Sequence, residues 1–403
     1  MEPIELIEYV PHSISRDDLP WGCGKYLWQK FGNVLSVHPP SFITNDSWQL
    51  TSEGWVGQIP VPDGPALYLR PRLPLGNLFL MWEYAYRLER FRFLEGMVGC
   101  DSLDAFYENL AGLLAGRVLD RARKGFYRTY LPETDMLPFL RGRMNTRLAA
   151  ARPWNVTLQC SYEDHTGDVE ENQILAWTLR RIARSSICRE EVRGRIRGAY
   201  RALRSFVTLH PFSGQNCSDR LYNRLNCDYH PLHALCRFFL ESTGPSHEIG
   251  DREMVPFLVS MPYLFELFVA EWLKKYLPER FHLKPQHIFR IDQAGYFTFR
   301  PDLVIYDRNT GNPCCVLDTK YKVPEKPTMD DIAKVTAYGL GLGCKEALLV
   351  YPAVVPTGID DQIGEVRVRS IHFILDGDLE SNGQRFLQDV ICNLSQKNRV
   401  GFQ

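Results

Sequence analysis

The stretch FRPDLVIYDRNTGNPCCVLDTKYK, residues 299 to 322, decides how this chain is read. Two apolar runs, DLVIY and PCCVL, flank DRNTGNP, a segment rich in residues that turn a chain, and the pattern predicts a β-hairpin. Taking 307 to 313 as the loop pairs Tyr306 with Cys314 and Val304 with Val316, and sets Asp302 opposite Asp318. Side chains alternate along a strand, so Val316, Asp318 and Lys320 share one face with Asp302, Val304 and Tyr306 of the partner strand. Directly opposed like charges destabilise a sheet unless a cation lies between them. A slip of the register by two residues preserves this convergence, whereas a slip by one destroys it.

Two carboxylates so placed suit Mg²⁺, with Mn²⁺ as a substitute, because Mg²⁺ takes one or two acidic ligands and keeps other positions for water and a substrate phosphate. Such an ion would polarise a scissile phosphate and acidify an attacking water, while Lys320 would steady that water or the developing negative charge. The chemistry expected is phosphodiester hydrolysis. The bland alternative is a hairpin end with ordinary surface charges, against which stands the position of Asp318 at the end of the apolar run CCVL, where a charge is costly without a partner or a function. Glu266, inside LFELFVAEWL, is a candidate third acid for the metal, or else a first-turn acid favoured by the helix dipole. Lys334 and Tyr338 lie one helical turn apart beyond the hairpin, positioned for a contact with the substrate backbone or for an ordinary amphipathic helix.

The remaining sequence sets bounds on these readings. With 403 residues, 45% of them hydrophobic and 24% charged, the chain has the make-up of a globular protein with two or three cores. A formal net charge of -1 excludes a strong overall field for phosphate, so nucleic acid would have to be met by a local basic patch or by a partner. The acidic start MEPIELIEYVPHSISRDD lacks the pattern of a secretory signal, and no run of apolar residues is long enough to span a bilayer; a cytoplasmic protein with no membrane association is expected. The eleven cysteines show no paired zinc spacing and read as reduced thiols. His230 and His233 have an i, i+3 spacing open to a metal, but no further ligand pattern accompanies them, which favours structural histidines. The glycines of YGLGLGC sit at a helix end, and neither a phosphate-binding G-x-x-x-x-G-K-S/T loop nor a G-x-S-x-G nucleophile motif occurs.

Along the chain the texture changes twice. Residues 1 to 75 read as a small β-rich domain with a hairpin at PDGP, 62 to 65. Residues 76 to 245 read as helical, with Ser102 as a start and Gly125 as a stop for one helix, and with a basic run, LRRIARSSICREEVRGRIRGAYRALRS, as the best local candidate for a nucleic-acid contact. The segment LESTGPSHEIGD, 240 to 251, reads as a linker. Residues 246 to 403 read as an α/β domain: a helix from MPYLFELFVAEWLKKYL, strands at PQHIFRID, YFTFRPDLVIY and PCCVLDTKYK, a helix capped by Thr328, and a buried strand EALLVYP.

RPDLV followed by VLDTKYK, a helix with TAYGLGLGC and the strand ALLVYP together resemble the PD-(D/E)xK nuclease core of the McrC family. LPFLRGRMNTR, CSYEDHTGDVEENQILAWTLRRI and RLNCDYHPLHALCRFFL, with GQIPVPDGPALYLRPRLPLGNLFLMWEYA upstream, resemble the rest of that family, so the likeness runs from about residue 50 to 352. What the resemblance implies is an α+β multidomain chain ending in a restriction-endonuclease-like core, a mixed sheet flanked by helices. It further implies a Mg²⁺-dependent DNA endonuclease, with Asp302, Asp318 and Lys320 at the catalytic positions, working with McrB. That partner is an AAA+ ring that binds and hydrolyses GTP, recognises modified double-stranded DNA and is stimulated by the nuclease subunit, whose N-terminal part docks on the ring. One departure stands out: where the family often carries glutamine one turn before the tyrosine, this chain carries Lys334. A rival reading keeps the fold and drops the catalysis, leaving an adaptor that activates the NTPase and carries a decayed nuclease domain; the intact Asp302, Asp318 and Lys320 set argues against it.

Overall fold

The computed structural model describes residues 3–87, 102–185, 187–218, 220–242, 247–249, 252–254, 256–290 and 298–392. Its contacts gather Met1–Leu103, Ser242–Arg252 and Pro256–Gln403 into one compact unit, and Asp104–Glu241 with Glu253–Val255 into another. Two segments that the sequence reads as separate, the N-terminal β region and the C-terminal α/β region, therefore share a unit.

The N-terminal part of the first unit runs β1 (Ile4–Ile7), β2 (His12–Ile14), α1 (Trp21–Phe31), β3 (Leu35–His38), β4 (Trp48–Ser52), β5 (Trp55–Ile59), β6 (Leu67–Arg70) and α2 (Leu75–Ala85). As expected, β5 and β6 pair antiparallel across the PDGP turn. Helix α1 was not foreseen, because WGCGKYLWQKF places two glycines in its first turn and so weakens the helical signal. It forms because Cys23, Leu27 and Phe31 recur every four residues and bury a stripe against Trp48 and Leu50 of the β2-β4-β3 sheet. The second sheet, in order β1-β6-β5-β12, takes its last strand, β12 (Phe257–Ser260), from the start of the C-terminal region.

The second unit holds α3 (Leu103–Lys124), β7 (Thr129–Leu137), β8 (Arg143–Met144), α4 (Thr146–Ala151), β9 (Leu158–Thr166), α5 (Glu170–Arg184), α6 (Glu190–Arg204), a 3-10 turn at Gly214–Cys217, and α7 (Tyr229–Glu241). Helix α3 begins directly after Ser102 and stops before Gly125, whose φ of 88° ends it as the sequence predicts. The helical reading of this region needs a correction, for β7, β9 and β8 form a sheet in which Thr129 to Leu137 pair in unbroken register with Thr166 to Leu158. Strand β7 is largely exposed and TYLPETDML lacks the alternation of apolar and polar residues by which a half-buried strand announces itself, although LQCSYE of β9 carries a short one.

Of the expected linker, residues 243–246 and 250–251 lie outside the described residues, and 247–249 form a strand, β10 (His247–Ile249), followed by β11 (Arg252–Met254). Beyond β12 come α8 (Met261–Tyr276), β13 (Phe281–Pro285), β14 (Phe289–Arg290), β15 (Thr298–Phe299), β16 (Leu303–Asp307), β17 (Pro313–Thr319), α9 (Met329–Leu342), β18 (Glu346–Tyr351), β19 (Asp360–Ile363), β20 (Val366–His372) and α10 (Leu379–Ile391). Among the described residues of PQHIFRID, Pro285 ends β13 and Phe289–Arg290 form the short β14; residues 291–297 lie outside the described residues. A six-stranded sheet in order β13-β16-β17-β18-β20-β19 results, mixed in direction: β17, β18 and β20 are parallel and the outer pairs antiparallel. Helix α9 makes the crossover that a parallel β17/β18 pair requires. It is capped at Thr328, whose hydroxyl accepts from Asp331 N, and closed by Gly343 in the left-handed region. Val335 and Tyr338 of α9 pack on Val304, Val316, Ala347 and Leu349, which defines the face of the sheet that α9 covers. No described helix is long and apolar enough to cross a membrane.

Candidate active site

The hairpin pairs Val304 with Val316 and Leu303 with Leu317, the register read from the sequence. Toward its turn the pairing departs from expectation, since Tyr306 pairs with Pro313 and not with Cys314. The cause is a tighter loop: Asp307 N donates to Asn312 O and Gly311 N to Asp307 O, so Cys314 becomes the extra residue of a bulge. Because the irregularity lies at the turn, the other end of the hairpin keeps its register. Asp302, two residues before Val304, and Asp318, two after Val316, therefore share the face that α9 covers.

Each acid is fixed by its own strand context. Asp302 Oδ2 accepts from Thr319 N and Thr319 Oγ1, both at 2.7 Å, which ties it across to β17. Asp318 is 1% exposed and lies between β16 and β18, with Leu349 as its parallel partner. Two ammonium groups meet it: Lys320 Nζ lies 2.8 Å from Oδ2, an ion pair without hydrogen-bond alignment, and Lys334 Nζ lies 3.1 Å from Oδ1. Lys320 also pairs with Asp331 Oδ1 at 2.8 Å, while its backbone N–H donates to Val350 O. Burial works against the Lys320 ammonium, but Asp318 and Asp331 outweigh it and raise the pKa, so the group is a cation throughout the neutral range. Lys334 shows the same balance. Asp331 is lowered: burial pulls it up, and the hydrogen bonds from Lys320 and Thr328 prevail.

Glu266 comes from α8. Ser260 caps that helix and Pro262 stands in its first turn, so Glu266 falls in the second turn and the first-turn dipole reading does not apply. Its carboxyl accepts from Gln286 Nε2 and is pushed up to about 7, chiefly by burial and then by the charges of Asp302 and Asp318. Asp302 is likewise raised, by burial first and by Asp318 second. The charge of Asp318 thus raises both Asp302 and Glu266, and that of Asp302 raises Glu266 further, the electrostatic state that a cation relieves.

The hard oxygens of Asp302 and Asp318 fit Mg²⁺ in number and kind, since two carboxylates suffice for it. Glu266 feels both charges, but among the described residues no three His, Cys, Asp or Glu side chains close into one set of metal ligands. Lys334 turns to Asp318, and its Nζ sits 5.6 Å from the Tyr338 ring centroid. Tyr338 is buried, its ring 5.1 Å from that of Phe299, so it serves as a wall beneath Lys334. Sequence reasoning missed Asp331 and Gln286. Asp331 was legible: it is a first-turn acid of a capped helix, three residues before Lys334 and so on the same face. Gln286 was not, because only the β13/β16 pairing carries it to Glu266.

Of the histidines of DYHPLH, His233 has a structural role. His233 is fully buried in the second unit, with Nδ1 2.8 Å from Tyr222 Oη and Nε2 3.0 Å from Glu171 O, and burial lowers its pKa to about 4.

Comparison with known proteins adds the following. The family described as McrBC 5-methylcytosine restriction system component matches residues 50–352. No curated protein matches the chain. Among solved structures, a chain from the half-complex of the tetradecameric assembly of Thermococcus gammatolerans McrB AAA+ hexamers with bound McrC is similar at 18% identity and a TM-score of 0.53, covering 96% of this chain and 100% of that one. A chain from the Thermococcus gammatolerans McrBC complex is similar at 19% identity and a TM-score of 0.44, covering 69% of this chain and 88% of that one.

Proposed function

The chain belongs to the family of McrBC 5-methylcytosine restriction system components, and from that premise we propose that it is the McrC-type nuclease subunit, a PD-(D/E)xK enzyme that hydrolyses DNA phosphodiesters with Mg²⁺. The single observation that carries this reading is the meeting of Asp302, Asp318 and Lys320 at one end of the β16/β17 hairpin, on the face covered by α9. Asp302 and Asp318 would hold the ion, which when bound supplies Lewis-acid polarisation of the phosphate and a more acidic water. Asp331 Oδ1 aims the Lys320 ammonium, whose N–H groups steady the attacking water or the charge that gathers on the phosphate oxygens. Glu266, pushed up to about 7, holds or releases a proton near neutral pH within the field of both aspartates. Lys334, bound to Asp318 Oδ1 yet half exposed on a flexible stem, is free to turn to a substrate phosphate once that oxygen is otherwise engaged.

The partner we infer is an McrB-like AAA+ ring that binds the GTP, as in the Thermococcus gammatolerans assembly where McrB hexamers carry bound McrC. A net charge of -1 agrees with leaving capture of modified double-stranded DNA to that ring. Exposed Trp21 and Trp28 on α1, with Phe42 and Ile43 nearby in sequence, support docking through the N-terminal part. A prokaryotic cytoplasmic setting follows from that role.

One observation favours a second reading. Both oxygens of Asp318 already meet lysines, which is the arrangement of a structural charge cluster and suits an adaptor that stimulates the GTPase without cutting. The deciding experiment is cleavage of modified DNA, with Mg²⁺ and separately Mn²⁺, by the native chain and by Asp318→Asn, each with the partner GTPase and GTP. Cutting by the native chain alone supports the nuclease. Stimulated GTP hydrolysis without cutting by either protein supports the adaptor.

A further inference from the structure

The residue after Lys320 makes a contact that the proposed chemistry does not use. Tyr321 Oη donates to Glu8 Oε1 at 2.9 Å, across 313 positions of sequence, and joins the segment beside the candidate site to the N-terminal sheet. Glu8 follows β1 and is fully buried. Its Oε1 also accepts from Arg72 N at 2.8 Å, its carbonyl accepts from Arg72 Nε at 2.9 Å, and its Oε2 has no partner. A buried carboxylate with one oxygen unmatched is costly, and an apolar side chain would fill such a place at lower cost.

The surroundings are built to hold the pair. The Tyr9 ring lies 6.4 Å from that of Tyr321, with the Arg72 guanidinium 5.7 Å and Lys322 Nζ 5.4 Å from its centroid. Tyr9 takes a left-handed φ of 57°, and at Gly54 a Cβ would come within 2.2 Å of the Tyr9 hydroxyl, so the ring is seated where only glycine leaves room. Behind Tyr321, at 6.1 Å between centroids, stands Phe265, the neighbour of Glu266 on α8. Lys320 itself has left β17, and the chain stays irregular until α9 begins at Met329. The backbone N–H of Lys320 still donates to Val350 O, and Tyr321 is the next anchor along the chain.

We propose that Glu8 is a positioning residue for the cleavage site, holding Tyr321 and through it the Lys320 segment, so that the N-terminal sheet and the Asp318 strand act as one piece. The proposal rests on the reading of Asp302, Asp318 and Lys320 as the nuclease site. Glu8 touches no reacting atom; it acts by fixing where the Lys320 ammonium stands.

The test uses the full chain with its partner GTPase and GTP, comparing Tyr321→Phe, Glu8→Ala and Glu8→Gln with the native protein and Asp318→Asn. Tyr321→Phe keeps the ring and removes only the hydroxyl, so it remains informative if Glu8→Ala fails to fold. The expected result is a fall of about tenfold in kcat for Tyr321→Phe with KM for DNA unchanged, since one hydrogen bond is lost. Glu8→Gln keeps an acceptor for Tyr321 and should restore most of the rate, and the Glu8→Ala and Tyr321→Phe losses should not add. Amide exchange supplies the readout that does not need activity: in Tyr321→Phe the amides of residues 320 to 322 should exchange about tenfold faster while those of β18 stay as they were. Native rates and unchanged exchange in Tyr321→Phe would overturn the proposal. If the native chain does not cut, the nuclease reading fails by itself, and the exchange data still decide whether Glu8 holds this segment.

Discussion

The two ends of the six-stranded sheet handle buried charge in opposite ways. At the end where the hairpin turns, each acid has its own base: Asp307 takes the Arg280 guanidinium through Nε and Nη2 at 2.9 and 2.6 Å, and Glu346 takes Arg369 at 3.0 Å. At the other end the charge of Asp318 raises Asp302 and Glu266, and the lysines that come to Asp318 are shared with or flanked by further acids. The strands, the packing and the apolar lining are common to both ends, so the fold does not require the second arrangement. Charges paired one to one are a structural solution, whereas acids left to repel one another in a protected place are what a catalytic site for a cation needs.

That contrast can be broken experimentally, starting where the expected effect is largest. Asp318→Asn or Lys320→Ala should lower DNA cleavage by at least about 10²–10³-fold while stimulation of the partner's GTPase persists; cleavage and GTP hydrolysis measured on the same preparations check it. Equal loss of both activities would mean that the two roles share one conformation.

At the paired end the sign reverses, and stability should suffer where the rate does not. Arg369→Met leaves Glu346 buried without its base and should cost about 3–5 kcal/mol in denaturant unfolding, whereas replacing both partners by apolar residues should recover most of it. Once folded, either variant should cut at the native rate.

The third test is a pH dependence. Glu266 is raised from 4.5 to about 7, so the folded state binds its proton more tightly than the unfolded chain does. Below about pH 4.5 both states hold the proton and no penalty exists; between 4.5 and 7 the unfolded state loses its proton first and stability falls, reaching a loss of roughly 3 kcal/mol above 7. Metal-free native protein should therefore weaken across that window by chemical denaturation, and Glu266→Gln should flatten this part of the profile. Mg²⁺ should flatten it too, by offsetting the repulsion that holds the pKa up.

The smallest effect is expected at the exposed Arg367–Asp360 pair on the edge of the same sheet. Charge reversal of Asp360 should leave the melting temperature within the scatter of the measurement, because solvent screens such pairs.

How much of this was legible depends on the range of the forces involved. The register that brings Asp302 and Asp318 to one face could be read because alternation is local, and the bulge at Cys314 spared it by falling at the turn. Helix α9 announced itself through Thr328 and Gly343, both caps that act within a few residues. Strand β9 was legible in the alternation of LQCSYE, whereas its partner β7 was not, because it is mostly exposed and TYLPETDML carries no apolar period. Helix α1 went unread because its stability lies in the stripe it buries and not in its residues' own helical preference.

By itself, then, the sequence determined the nearest-neighbour chemistry: a hairpin, two aspartates and a lysine on one face of it, and a capped helix to follow. Only the tertiary structure decided who else attends. Asp331 and Lys334 reach Asp318 and Lys320 because α9 crosses over the sheet, Glu266 arrives with α8, and Glu8 meets Tyr321 from 313 residues away. Backbone sterics and alternation act over a few residues and leave their mark in the order of the chain, whereas burial is a property of the assembled surfaces and leaves no mark until they meet.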